Sequence, residues 1–226
     1  MKIDDYKEFL DAGTKQGQEG DVQSRYVTML EAFKNLPERG VVIELGTTRS
    51  FVHGGLEGCN SDDERYWSPN DPSRWDWGAG CFTRVAAESL SLKGAIIHTV
   101  DACSSHIKRC KIITMGLGAI QYHVSDSVAF ILSFSGKADL VYVDTGDMTP
   151  IEPTALHQLE EAKAIVSTGI IPVGGHVLID DVRNAAPKRF GDTTGLGKAK
   201  YSLAYMESNG FVRVIDEYQV LLRRTI

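Results

Sequence analysis

Six acids follow the apolar runs of this sequence. Glu44 follows VVI, Asp101 follows IIHTV, Asp126 follows YHVS, Asp144 follows LVYV, and the pair Asp180-Asp181 follows HVLI. Ionised carboxylates only accept hydrogen bonds, so such a set suits hydroxyl, amino and cationic partners and repels anions. Asp commonly caps helices, which accounts for one or two acids at strand ends. An acid after each of five runs points instead to a common site. Cys103, His106 and Cys110 fall at i, i+3, i+7, on one helical face, but no fourth metal ligand lies nearby. They are expected to be packed, reduced thiols around a histidine.

Carboxylates scattered from position 44 to position 181 meet only if a sheet gathers the strand ends. Residues 22–36 carry Val22, Tyr26, Met29, Leu30 and Phe33 at helical spacing, and Pro37 to Gly40 lead into the first strand. Strands are expected at 41–45, 95–102, 119–126, 138–144 and 174–181. Helical patterns separate them, at CFTRVAAESLSL, SSHIKRCKIITMGLG, SVAFILSFSG and PTALHQLEEAKAIVSTG. A further helix, GKAKYSLAYMESNG, precedes a closing hairpin, FVRVIDEYQVLLRR, with its turn near Asp216-Glu217. Near-continuous apolar strands are covered on both faces, and strand-helix alternation gives a parallel sheet. The expected fold is therefore α/β, Rossmann-like and doubly wound, with a mainly parallel seven-stranded sheet and an antiparallel edge hairpin. It forms one domain over 1–226, with an N-terminal helical cap over 1–40.

Composition removes several classes of function. The 24 Lys and Arg against 30 Asp and Glu give a net charge of −6, without the basic footprint of a nucleic-acid binder. No apolar run reaches the ~20 residues that span a bilayer, and the N-terminus has no apolar signal core. A cytoplasmic protein with a small-molecule substrate is expected, with the N-terminal helix and a tryptophan-rich loop offering surfaces for a homodimer.

In a parallel sheet the ligand lies beyond the carboxyl ends of the strands. An acidic lip there suits a sulfonium cation with an α-amino group and opposes a pyrophosphate. Glu44-Leu45-Gly46-Thr47, Asp101, Ser125-Asp126 and the hairpin together resemble the class I S-adenosylmethionine (SAM)-dependent methyltransferases over about residues 40–224. VYVDTGDM (141–148) and GGHVLIDDV (174–182) resemble the macrocin-type sugar O-methyltransferases and, more loosely, the catechol and caffeoyl-coenzyme A O-methyltransferases. The resemblance implies SAM as cofactor, held by Glu44, Gly46, Thr47, Gly80, Asp101, Ser125 and Asp126. It also implies a divalent metal, Mg²⁺, on Asp144, Asp180 and Asp181, where it would hold and acidify an acceptor hydroxyl. Asp147 would be the general base, with His53 and His176 as alternatives; the catechol-type enzymes carry Lys at the apparent counterpart of Asp147. The implied activity is O-methylation of a small hydroxylated molecule, a sugar or a phenol.

Other readings use the same residues. Asp180 or Asp181 could cap the next turn, and Asp144 could bond loop amides. Gly78-x-Gly80-x-x-Thr83 followed by Asp101 approximates a dinucleotide fingerprint, which would make the chain an NAD(P)-dependent oxidoreductase. A non-catalytic binding protein with the SAM fold is the third reading.

The first loop departs from the usual pattern. After Gly46 the chain reads Thr47-Thr48-Arg49, and the glycines of a cofactor loop reappear at Gly78-Ala79-Gly80. Residues 49–77 are therefore read as an insertion. It holds Tyr66, Trp67, Trp75 and Trp77, aromatic residues suited to walling a pocket or covering a partner. Amides from Gly80 to Thr83 would face the cofactor carboxylate. Residues 183–200, rich in glycine and basic residues, form a second candidate lid.

Overall fold

The computed structural model describes residues 2–11, 24–47, 81–147, 150–182 and 194–226. The expected insertion over 49–77, Gly80 and most of the candidate lid lie outside them. The five apolar runs form β1 (Val41–Leu45), β2 (Ile96–Asp101), β3 (Ile120–Val124), β4 (Leu140–Val143) and β5 (His176–Ile179). The closing hairpin is β6 (Phe211–Asp216) and β7 (Val220–Arg224). The helices are α1 (Arg25–Lys34), α2 (Phe82–Ser89), α3 (Ser104–Ile113), α4 (Ser127–Ser133), α5 (Ile151–Thr168) and α6 (Ser202–Ser208).

The strands make one seven-stranded sheet in the order β3-β2-β1-β4-β5-β7-β6. β1 to β5 are parallel, and β7 pairs antiparallel with both β5 and β6. The hairpin thus lies at the sheet edge as expected, with its antiparallel strand one place inside and β6 outermost. Its turn covers residues 217–219, slightly later than the sequence suggests, and Glu217 N donates to Gln219 O at 3.1 Å. No helix among the described residues is long and apolar enough to cross a membrane.

Each face of the sheet has its own apolar layer, which is why the strands lack polar-apolar alternation. On one face Phe33, Phe82, Val85, Leu90 and Ile113 pack with the N-terminal Ile3 and Tyr6. On the other, Phe130, Ile131, Ile165, Leu203 and Met206 pack against β4, β5 and the hairpin. The face of α1 is rotated from the expected stripe. Its buried residues are Arg25, Thr28, Met29, Ala32 and Phe33, an i, i+3, i+4, i+7, i+8 set. Tyr26 and Leu30 lie half-buried on its flank. One position of the buried stripe is thus an arginine, and it is aimed at the ends of the central strands.

The chain winds outward in opposite directions from β1 and β4, so the crevice at the carboxyl ends of these two neighbours is where a sheet of this kind binds ligands. Gly46 closes β1 there with φ +82°, a left-handed conformation that costs other L-residues about 1–2 kcal/mol. A Cβ on Gly46 would lie 2.5 Å from the carbonyl oxygen of Asp144. The first loop therefore touches the acid after β4 through a contact that only glycine permits. Gly46→Ala is expected to lower the unfolding free energy by about 2 kcal/mol or more, from backbone strain plus the clash, as read by urea denaturation.

Candidate functional site

Three of the expected site acids converge beyond β4 and β5. Single carboxylate oxygens of Asp144, Asp180 and Asp181 all lie within 4.8 Å of one another. The chain turns sharply after β5, with Asp181 at φ +56°, so the adjacent pair reaches different partners.

Asp180, 1% exposed, is enclosed by donors. Arg25 Nε reaches its two oxygens at 3.0 and 3.1 Å, Tyr142 OH donates at 2.7 Å, and Gln219 Nε2 donates at 3.0 Å. Thr28 Oγ1 in turn donates to Gln219 Oε1 and fixes that amide. Asp181 receives Arg25 Nη2 at 2.9 Å and Tyr218 OH at 2.6 Å on one oxygen. Lys198 Nζ stands 3.3 Å from its other oxygen. The same ammonium lies 2.7 Å from Asp144 Oδ1, and the Lys198 side chain is only 2% exposed. Arg25 also lies over the Tyr218 ring, 4.4 Å from its centroid.

Burial sets the electrostatics, and the cations decide which acid stays charged. Burial alone pushes Asp181 up, but Lys198 and Arg25 outweigh it and hold this carboxyl far below its usual range. Asp144 is pushed up to about 6, first by burial and then by Asp180 and Asp181, with Lys198 opposing. Lys198 itself, despite its burial, is held above the ordinary lysine range by Asp144 and Asp181.

The expected Mg²⁺ site can be tested against these contacts. The three acids come together as a metal site requires. A divalent ion, however, needs carboxylate oxygens as direct ligands at ~2.0–2.6 Å. Here every one of those oxygens except Asp144 Oδ2 is already engaged, by the Arg25 guanidinium, the Lys198 ammonium, two phenols or an amide. Two resident positive charges would repel the ion at short range, so the residues present do not fit a divalent metal.

The cofactor candidates occupy the neighbouring part of the rim. Asp101 closes β2, and its carboxylate accepts from Thr47 N at 3.0 Å and Cys103 N at 2.7 Å, with His106 Nδ1 at 3.1 Å. Burial raises its pKa, but the hydrogen bonds from His106, Thr47 and Cys103 overcome that and hold the carboxyl below its usual range. His106 is thus tied to Asp101; Cys110 is buried, its thiol pushed up to about 12 mainly by burial, whereas Cys103 is exposed and not packed as expected. Asp126 is exposed after β3 and accepts from Ala129 N at 2.9 Å as the N-cap of α4. Ser125, half-buried beside it, donates to the Asp126 carbonyl at 3.0 Å. Asp101, Ser125 and Asp126 therefore sit along the ends of β2 and β3, beside Gly46 and Thr47.

Glu44 has a different place. It is fully buried below the rim, and its Oε2 accepts from Thr83 Oγ1 of α2 and from Thr99 Oγ1 of β2 at 2.6 Å. It ties α2 to the sheet under the first loop. Asp147 is exposed on the loop after β4, and its carbonyl accepts from Thr154 Oγ1 at 2.8 Å. His176 is buried within β5, at the opposite end of the strand from Asp180, and His53 lies outside the described residues.

Sequence reasoning missed Arg25, Lys198, Tyr142, Tyr218 and Gln219. Arg25 left a legible trace: a charge at i−3 and i−4 from Thr28 and Met29 on the buried face of α1. Lys198 left a fainter one, a lysine between Gly197 and Ala199 in a short buried turn.

No protein-family model matches this sequence, and no curated protein is detectably similar to it. Solved structures do match the fold. The N-methyltransferase NodS from Bradyrhizobium japonicum is 15% identical, covers 89% of this chain and 95% of its own, and superposes with a TM-score of 0.57. The S-adenosylhomocysteine-bound methyltransferase PaMTH1 from Podospora anserina is 14% identical over 89% of this chain and 77% of its own, at 0.55. A SAM-dependent O-methyltransferase from Thermotoga maritima is 10% identical over 92% and 68%, at 0.53. At these identities the likeness establishes the fold, that of the class I SAM-dependent methyltransferases.

The buried acid below the rim makes a prediction of its own. Burial, opposed by the Thr83 and Thr99 hydroxyls, raises Glu44 from its ordinary 4.5 to about 7. Between these values the folded chain binds more protons than the unfolded one, so stability is full below the lower value and falls as pH rises through the higher. Denaturation between pH 4 and 8 should show a loss of about 3 kcal/mol in that window. Glu44→Gln should lessen it, leaving the share of Asp144, whose carboxyl is also raised, to about 6, whereas an unchanged slope in the variant would place the titration elsewhere.

Proposed function

We propose that this chain is a SAM-dependent methyltransferase whose acceptor is a small hydroxylated molecule bound at the lip of β4 and β5. The observation that carries the reading is the contact between Gly46 and Asp144. It sets the end of β1, taken here as the cofactor side, against the main chain of Asp144, the residue whose carboxylate belongs to the acid cluster.

The residues fit the cofactor by their chemistry. Thr47 N and Cys103 N fix Asp101 at the rim, where its carboxylate keeps acceptor capacity for ribose hydroxyls. Ser125 and Asp126 stand at the next strand end for the adenine side. Gly46 keeps the end of β1, next to the strand that Asp101 closes, clear of a side chain. When bound, SAM supplies an electrophilic methyl group. Glu44 acts from below, holding α2 to β2.

On the acceptor side, Asp144 Oδ1 is occupied by Lys198. Its Oδ2 receives only a long contact from Tyr142 OH, at 3.5 Å, among the described residues. That oxygen is available to accept a hydrogen bond from an acceptor hydroxyl and orient its lone pair. Catalysis in this reading is mainly positioning, since nucleophile, methyl carbon and sulfur must be held in line. The sequence-based expectation of Mg²⁺ assistance has no step in it, because the cluster already carries its own cations. Asp147, exposed three residues beyond Asp144, keeps its proposed role in taking up the proton.

Calorimetric titration with SAM, S-adenosylhomocysteine and NADH tests the cofactor. SAM and its product should bind and NADH should not. Asp101→Ala should weaken SAM by about tenfold or more, equivalent to about 1.4 kcal/mol, without loss of the folded far-ultraviolet spectrum. Tight NADH binding without SAM binding would replace this reading with the oxidoreductase one. Labelled SAM with sugar and phenol panels then tests the acceptor class.

A further inference from the structure

We infer that the Lys198 ammonium is the resident cation of the Asp144-Asp180-Asp181 cluster, standing where a divalent ion would be held, and that the site operates without a metal. Lys198 is a positioning residue in this assignment: it acts through Asp144 and Asp181. The inference rests on the methyl-transfer reading for its consequence in turnover, while its binding test is independent of any reaction.

Three observations carry it. First, Lys198 Nζ bridges two of the three acids, at 2.7 Å from Asp144 Oδ1 and 3.3 Å from Asp181 Oδ2. These are the acids that a metal would have to span between β4 and β5. Second, the lysine is built into the protein and does not drape over it. Its side chain is 2% exposed, and Gly197, Lys198 and Ala199 form a buried turn in which Ala199 packs into the same apolar layer as α5. Third, the far side of the cluster is closed by a second buried cation. Arg25 takes both oxygens of Asp180 and one of Asp181, and Tyr142, Tyr218 and Gln219 take further lone pairs.

Charge gives the consequence. With all three acids ionised, two cations leave the cluster at one net negative charge, a balance that suits a neutral hydroxyl donor. A divalent ion added to it would invert the sign, and one that displaced the ammonium would leave the cluster without net charge. Lysine is suited to this place because it is a compact point charge with three donors, whereas the planar arginine fork suits the two-oxygen contact made by Arg25.

The test is cation binding by the full chain after passage over chelator, with free Mn²⁺ followed by electron paramagnetic resonance. The wild-type protein should leave millimolar Mn²⁺ free. Lys198→Ala and Lys198→Met should each bind one Mn²⁺ per chain about tenfold more tightly than the wild type or better. Lys198→Arg should stay silent, and adding Asp144→Asn to Lys198→Ala should abolish the gain. Stoichiometric Mn²⁺ binding by the wild type, lost in Asp144→Asn, would overturn the inference even if no Lys198 variant folds. A folded Lys198→Ala that gains no affinity would overturn it too. Failure of SAM to bind would defeat the proposed activity and leave this titration readable.

Discussion

The rest of the structure depends on satisfying five charged side chains in one largely buried place. Asp144, Asp180 and Asp181 meet Arg25 and Lys198 with no side chain among the five more than 17% exposed. Removing such ions from water costs several kcal/mol each, and mutual attraction repays it only where geometry is close and the remaining lone pairs are filled. Here they are filled by Tyr142, Tyr218, Gln219 and, at one remove, Thr28. The groups come from five separate places in the chain, so the cluster draws α1, the ends of β4 and β5, the hairpin turn and the 197–199 turn to one point. It specifies where those parts sit more than it adds to stability, because well-packed apolar residues would often do as well energetically.

That constraint explains two otherwise unrelated features. The rotated face of α1 follows from the need to bring Arg25 over Asp180 while Phe33 remains in the apolar layer. The left-handed conformation of Asp181 follows from the need to send two adjacent carboxylates to different cations. Had the chain continued straight after β5, Asp180 and Asp181 would face opposite sides of the sheet, and one of them would leave the cluster.

The strands were legible because burial on both faces writes apolar runs that end abruptly in acids. Helix-strand alternation then dictates a parallel sheet and brings Asp144 and Asp180 side by side, as the pairing of Val143 with Ile179 shows. The function of each acid was less legible. Glu44 looks like its neighbours in sequence, yet its side chain lies below the rim beside Thr83 and Thr99, a distinction that depends on which side of the pleat position 44 faces. The partners were hardest to find. Arg25 lies 155 residues from Asp180, and Lys198 lies 54 from Asp144. No periodic pattern links such positions; only a charge on the buried stripe of α1 and a lysine in a glycine-flanked buried turn gave a sign.

An acid triad after the fourth and fifth strands is therefore a weaker indicator of metal than it looks in sequence. The same three carboxylates can hold a divalent ion or an ammonium, and the difference lies in one lysine arriving from a separate turn. A buried lysine without its acids would be driven toward its neutral form by desolvation, and buried acids without a cation would retain their protons. In this chain burial opposes ionisation of both partners, and their attraction prevails for Lys198 and Asp181. Acid and lysine thus stay charged for the same reason, each being the other's counterion. A divalent ion could enter only by breaking that pairing, and the freed ammonium would then have to leave a turn packed into the interior.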